Sequence, residues 1–171
     1  AGQLANRLHD VKRSFKTALD LGGGHGVTAF DPTPETLVTA DLSERLLKQV
    51  PAGPRVSGDE EFLPFADGVF DLIASTLSLH WVNDLPGALV QIRRTLKPDG
   101  LFLAAMLGGD TLIELRRAFL EAEAETTGGT SPHTSPVADV ADVGALLQRA
   151  GFALPVIDTD TITVTYSDIF A

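Results

Sequence analysis

Cysteine is missing from all 171 residues, which excludes a disulfide framework, a thiolate-held metal and a thiol nucleophile. The absence suits a reducing compartment: the cytoplasm of a bacterium, or the mitochondrial matrix of a eukaryote. Positive charge is scarce as well. Lys and Arg number 13 against 23 Asp and Glu, for a formal charge of -10 and a pI near 4.7. Nucleic acid is therefore not an expected partner, since neutralising phosphates takes clustered cations. No apolar run nears the ~20 residues of a transmembrane helix, and no basic-then-apolar signal segment opens the chain. Internal repeats and long low-complexity tracts are also lacking. A small molecule or another protein remains the expected partner.

What is present reads as one globular domain over residues 1–171, with 44% hydrophobic and 21% charged residues. A chain of this size buries roughly 70% of its unfolded surface. Short β-rich runs alternate with helical segments, the pattern of an α/β fold with a parallel sheet covered by helices on both faces. Strands are expected at 17–21, 36–40, about 55–57, 70–75 and 100–105, with a sixth within 154–166, where Val156, Ile162, Val164 and Tyr166 alternate. Asp84 is placed to cap a helix with Pro86 in its first turn and Leu85, Leu89, Ile92 and Leu96 on one face. Thr111 and Glu114 have capping-box spacing ahead of a second helix to about Glu125. A third is expected from about Asp139 to Ala150, with Val140, Val143 and Leu147 inward and Gly151 as its stop. The prolines of 31–35 shorten the first crossover, and the Gly/Ser/Thr/Pro stretch 126–136 is a candidate active-site lid.

The strongest local signal is Asp20-Leu21-Gly22-Gly23-Gly24-His25-Gly26. A strand that runs into glycines and then a helix lets backbone approach a ligand closely, with N–H groups facing it. The third glycine of a dinucleotide fingerprint would fall on Val27, so that pattern is not met. Asp20, two residues before the first glycine, suits the methionine ammonium of S-adenosylmethionine and would repel a pyrophosphate. Asp41 ends the second strand, where a carboxylate can accept both ribose hydroxyls. Asp59 follows the third strand in Gly58-Asp59-Glu60-Glu61, beside the expected place of the adenine. Three acids ending three successive strands at one sheet edge are the argument for this cofactor. The cofactor-binding candidates are Asp20, Gly22, Gly23, Gly24, Asp41, Leu42, Asp59, Glu60, Thr76 and Leu77.

These residues resemble the class I methyltransferases, specifically the type 11 group, over the glycine turn, Asp41, Asp59 to Phe65 (DEEFLPF) and Leu96 to Gly100 (LKPDG). Ser75 to Leu89 (STLSLHWVNDLPGAL), Gly108 to Arg116 (GGDTLIELR), Gly128 to His133 (GGTSPH) and Arg149 to Phe152 (RAGF) look like the respiratory complex I assembly factor 5 family and its bacterial relatives. The biotin-pathway malonyl-carrier-protein methyltransferases are similar at a greater distance. The resemblance implies a Rossmann-like class I methyltransferase sheet and binding of S-adenosylmethionine, with S-adenosylhomocysteine as product. It also implies a role in maturing a complex I subunit, either by hydroxylating an arginine or as a non-catalytic scaffold that binds the cofactor. Such folds close with a seventh, antiparallel strand. Ala171 falls soon after the sixth, so the resemblance implies that this last strand lies outside the chain.

Methyl transfer is an in-line displacement, for which positioning and desolvation provide much of the catalysis. A base is needed only where the acceptor must lose its proton early. His80, just after the fourth strand, is the candidate base or substrate ligand, and Trp81 a candidate pocket wall. Arg116 and His133 are candidates for gripping a substrate carboxylate. No metal site is expected: His80 and Asp84 are four apart, but neither His25 nor His133 completes a facial-triad spacing. Nor does any serine stand in a G-x-S-x-G elbow. The leading expectation is a methyltransferase acting on a protein or a small carboxylic acid.

Overall fold

The computed structural model describes residues 2–24, 30, 33–51, 53–129, 131 and 137–168. The elements run α1 (Gly2–His9), β1 (Thr17–Leu21), β2 (Thr36–Asp41), α2 (Glu44–Leu47), β3 (Arg55–Ser57), β4 (Phe70–Thr76), α3 (Leu85–Thr95), β5 (Leu96–Ala105), α4 (Ile113–Thr127) and α5 (Val140–Arg149). The strands form one sheet in the order β3-β2-β1-β4-β5, and every pairing is parallel. Chain order reverses between β1 and β4, and it is outside the carboxyl ends of such a pair that open α/β sheets bind ligands.

The central strands are apolar on both faces, as a sheet covered on both sides requires. Leu19, Leu21 and Ile73 point to one core with Leu89 and Ile92 of α3, against which Leu146 and Leu147 of α5 pack. Ala18 and Leu72, one residue out of phase, point to the other with Leu8 of α1 and Phe15. Helix α3 keeps its expected capped start but ends at Thr95, so Leu96, expected on its apolar face, opens β5 instead. Asp84 accepts a hydrogen bond from the Gly87 N–H at 2.9 Å. In the last turn Arg93 donates to the Gly151 carbonyl and Arg94 pairs with Asp67 at 3.1 Å.

Four expectations are corrected. No strand forms within 154–166: Val156, Ile162, Val164 and Tyr166 are 90%, 78%, 63% and 71% exposed. Alternation supplies two faces, but a strand also needs a neighbour to take its N–H and C=O groups, and none of the described strands pairs with this segment. The fifth strand starts at Leu96 rather than at Gly100. Its LKPDG segment bulges: β4 advances from Phe70 to Leu72 while β5 advances from Leu96 to Leu101, with Asp99 at φ 61°. Thr111 does not cap α4, because Leu112 holds the cap position at φ 53° with no side-chain hydrogen bond. On α5, Val140 is 38% exposed while Leu146 joins Leu147 against the core.

Candidate functional site

Three chain segments leave the carboxyl edge of the sheet and converge on the glycine turn. β1 ends in Asp20 and Leu21, and Gly22 follows at φ +70°, in the left-handed region that side chains resist. The Gly22 N–H still donates to the Ala40 carbonyl of β2 at 2.8 Å, so the turn is pinned to the neighbouring strand. From β4 the chain leaves through Leu77, at φ 56° and half exposed, into Ser78 and a 3₁₀ turn over Leu79–Trp81. A Cβ on Gly22 would collide with the Ser78 side chain. This close approach occurs at the reversal point between β1 and β4.

Each predicted acid lies at this edge, held in a different way. Asp20 is buried and its carboxyl group packs against Gly23, where a Cβ would strike it. Asp41 accepts from the Gly24 N–H at 2.9 Å through Oδ2 and from the Ser43 N–H at 2.8 Å through Oδ1. Each oxygen keeps a second lone pair, so the carboxylate is oriented without being used up. A Cβ on Gly24 would come within 2.6 Å of both Asp41 Oδ2 and Leu46 Cβ, so only glycine fits there. Leu42 projects outward beside it, 65% exposed. Asp59 accepts from the Glu61 N–H at 2.9 Å, a turn that sets the path of the segment after β3. Glu60 faces inward, buried, and accepts from the Ser78 hydroxyl. Thr76 ends β4 and is part-buried.

The segment after β3 is fastened to α3. Glu61 Oε1 accepts from the Asn83 N–H at 2.5 Å and the Asp84 N–H at 3.4 Å. Gln91 donates to the Glu61 carbonyl and accepts from the Leu63 N–H at 2.9 Å. Ser78, Glu61 and Gln91 escaped sequence reasoning. Their roles rest on contacts between residues 18 to 30 positions apart, and no local spacing announces those.

His80 is part-buried in the 3₁₀ turn, with its ring 5.2 Å from that of Trp81. Its Nδ1 is buried without a hydrogen-bond partner, and burial pushes its pKa below the usual 6.5, so the ring is neutral at pH 7. A neutral imidazole with a free lone pair can accept a proton. Trp81 is 72% exposed and presents most of its ring outward. Arg116, in the first turn of α4, donates to the Gly109 carbonyl, and its Nε is buried with no partner. His133, His25 and Val27 lie outside the described residues. Among the described residues no three His, Asp or Glu side chains gather as a metal site, and no helix is long and apolar enough to cross a membrane.

The cradle fits a ligand that carries a nucleoside and a cation. Backbone closes on it where glycine leaves room, a doubly anchored carboxylate faces the end of β2, and a buried carboxylate lies beneath the turn. Comparison with known proteins agrees. Residues 19–104 match the family described as a methyltransferase domain. The chain is 51% identical to human arginine-hydroxylase NDUFAF5, mitochondrial, over 98% of its own length and 51% of that protein's. It is 36% identical to a malonyl-(acyl-carrier protein) O-methyltransferase of Laribacter hongkongensis, over 99% of its own length and 61% of that protein's. Thus the chain spans about half the length of the curated relatives it matches. An S-adenosylmethionine-dependent methyltransferase from Mesorhizobium loti has the same fold, with a TM-score of 0.66 at 20% identity over 89% of this chain and 80% of that one.

Proposed function

The chain belongs to the methyltransferase domain family, and from that premise we propose that the protein transfers the methyl group of S-adenosylmethionine to a protein or a small carboxylic acid. S-adenosylmethionine is the cofactor of this family, and it supplies a methyl group activated by a sulfonium. The observation that carries the reading is the convergence of Asp20, Asp41 and Glu60 on a glycine turn that admits no Cβ at Gly22 or Gly24, with Asp59 at the same edge of the sheet. Asp20 holds the cofactor's ammonium, and Asp41, flanked by Leu42, takes the ribose hydroxyls. Asp59 borders the adenine side, Glu60 faces Gly22 of the turn, and Thr76 and Leu77 line the site from the end of β4. His80 receives the acceptor's proton, and Arg116 grips a carboxylate on the substrate, a role the sequence also offers to His133.

Calorimetry with S-adenosylhomocysteine on the protein and on Asp41→Ala tests the assignment. The substitution is expected to weaken binding by about 1–3 kcal/mol, the range for losing hydrogen bonds to a charged group. Equal affinities would remove Asp41 from the ribose site.

A second reading is favoured by the higher identity to the arginine hydroxylases, 51%, than to the carrier-protein methyltransferase, 36%. In it the protein matures a complex I subunit by hydroxylating an arginine. Mass spectrometry of a candidate partner after incubation separates the two. Methylation adds about 14 Da and hydroxylation about 16 Da. Cofactor binding with neither shift supports a scaffold instead.

A further inference from the structure

Two charged side chains are buried among the described residues, and both abut the glycine turn: Asp20 at 3% exposure and Glu60 at 9%. Asp20 packs against Gly23. Glu60 Oε1 lies 3.1 Å from where a Cβ on Gly22 would be. Burying a carboxylate is costly unless a cation or several donors offset it. For Glu60 the donor is the Ser78 hydroxyl, and no Lys or Arg of the described residues forms an ion pair with it. One neutral hydroxyl orients a carboxylate but does not balance its charge.

Resting on the reading that this site takes S-adenosylmethionine, we propose that Glu60 is a specificity-determining residue. Its carboxylate, held against Gly22 by Ser78, selects the sulfonium cofactor over its neutral thioether product. The count of charges supports this. The cofactor has two cationic centres, an ammonium and a sulfonium, and the turn has two buried carboxylates. With Asp20 on the ammonium, Glu60 remains for the sulfonium. The ammonium is present before and after the reaction. The sulfonium is not: once the methyl group has gone to the acceptor, the sulfur keeps the bonding electron pair and is uncharged. Glu60 then attracts the incoming cofactor and loses its hold on the product, which aids exchange at the site.

Glu60→Gln keeps the side chain's size and its ability to bond Ser78 while removing the charge. Calorimetry with S-adenosylmethionine and with S-adenosylhomocysteine, on the protein and on this variant, reads the selectivity. The expected result is a loss of about tenfold or more in S-adenosylmethionine affinity, from removal of one close charge in a partly desolvated site. S-adenosylhomocysteine affinity should stay within about threefold, since a neutral sulfur has little interaction with that charge. The unliganded variant should melt no lower than the parent, because a buried charge has been removed. Glu60→Asp should retain more of the preference than Glu60→Gln, and Ser78→Ala, which leaves the charge in place, should do so too. Equal weakening of both ligands, or no change in either, would overturn the proposal and leave Glu60 a structural residue. Failure of the parent protein to bind either ligand would instead overturn the cofactor reading itself, and this inference with it.

Discussion

Replacing Gly22 with alanine tests the geometry on which the whole edge depends. Two separate costs apply. At φ +70° an L-residue with a Cβ loses about 1–2 kcal/mol to the left-handed backbone. The new Cβ also meets the Ser78 side chain; a clash of that kind in a packed site costs about 1–3 kcal/mol as neighbours shift. The sum is a destabilisation of about 2–5 kcal/mol, beyond the small gain from a stiffer unfolded chain. Gly68 provides the control. It has φ +64° but nothing within 4 Å of an added Cβ, so Gly68→Ala should show the backbone cost alone. Urea unfolding measures both, read as a shift in midpoint at constant slope. The excess loss in Gly22→Ala isolates the contact with Ser78. S-adenosylhomocysteine binding should fail in Gly22→Ala and survive in Gly68→Ala. If Gly22→Ala costs no more than Gly68→Ala, the two loops are not in close contact and the account of the turn is wrong.

Other perturbations follow from named contacts. Partial burial would by itself raise Asp71, but the Lys97 ammonium at 2.9 Å, the Thr17 N–H and Arg13 hold its pKa below 3.8. The pair therefore stabilises the protein at neutral pH and loses its effect as pH falls through that depressed value. Lys97→Met should cost about 1 kcal/mol at pH 7 in urea unfolding, and a deficit that persists unchanged at pH 2 would contradict this. For His80, burial disfavours the charged ring, so its NMR titration midpoint should lie below 6.5, and stability should fall as pH drops past that value. A midpoint at or above 6.5 would remove the argument for a neutral acceptor. Gln91→Ala breaks two hydrogen bonds to the segment after β3, and should cost about 1–3 kcal/mol. Faster hydrogen exchange at the Leu63 amide should accompany it; unchanged exchange would count against Gln91 as the fastener.

What was legible in the sequence is what short-range chemistry decides. The runs at 17–21, 36–40 and 70–75 became strands because their apolar residues serve both faces of a covered sheet, while 55–57 contributes Val56 alone and pairs at the sheet's edge. The helix after Asp84 was legible because cap, proline and apolar spacing all fall within a dozen residues. Asp20, Asp41 and Asp59 were found because a parallel sheet places every strand's carboxyl end at the same edge. Partnership was not legible. The 154–166 alternation looks like a strand but pairs with none of the described strands, and α1 (Gly2–His9) was not expected although Leu4 and Leu8 stand four apart and are both buried. Thr111 and Glu114 have capping spacing, yet the left-handed backbone at Leu112 moved the start of α4 by one residue. Ser78 lay between candidates named on either side of it, Leu77 and His80. Its role depends on Gly22 and Glu60, which approach it through the topology alone.

The two ends of the sheet are built to different standards, and this difference locates function without reference to any relative. At the amino edge, Asp71 accepts from both a lysine and a backbone N–H, so its charge is satisfied within the chain. At the carboxyl edge, Gly22 and Leu77 occupy left-handed backbone and His80 Nδ1 has no partner. Beside them Glu60 is buried against a single hydroxyl. The left-handed Leu77, the unpartnered His80 Nδ1 and the buried Glu60 each cost stability, and such costs persist only where the surrounding structure enforces them. Left-handed backbone also occurs at Asp99, Leu112 and Leu154, and Arg116 Nε also lacks a partner. What sets the reversal point between β1 and β4 apart is a buried carboxylate held by one neutral hydroxyl beside a glycine that admits no Cβ. A ligand with donors and positive charge relieves that charge, and a neutral or anionic one does not.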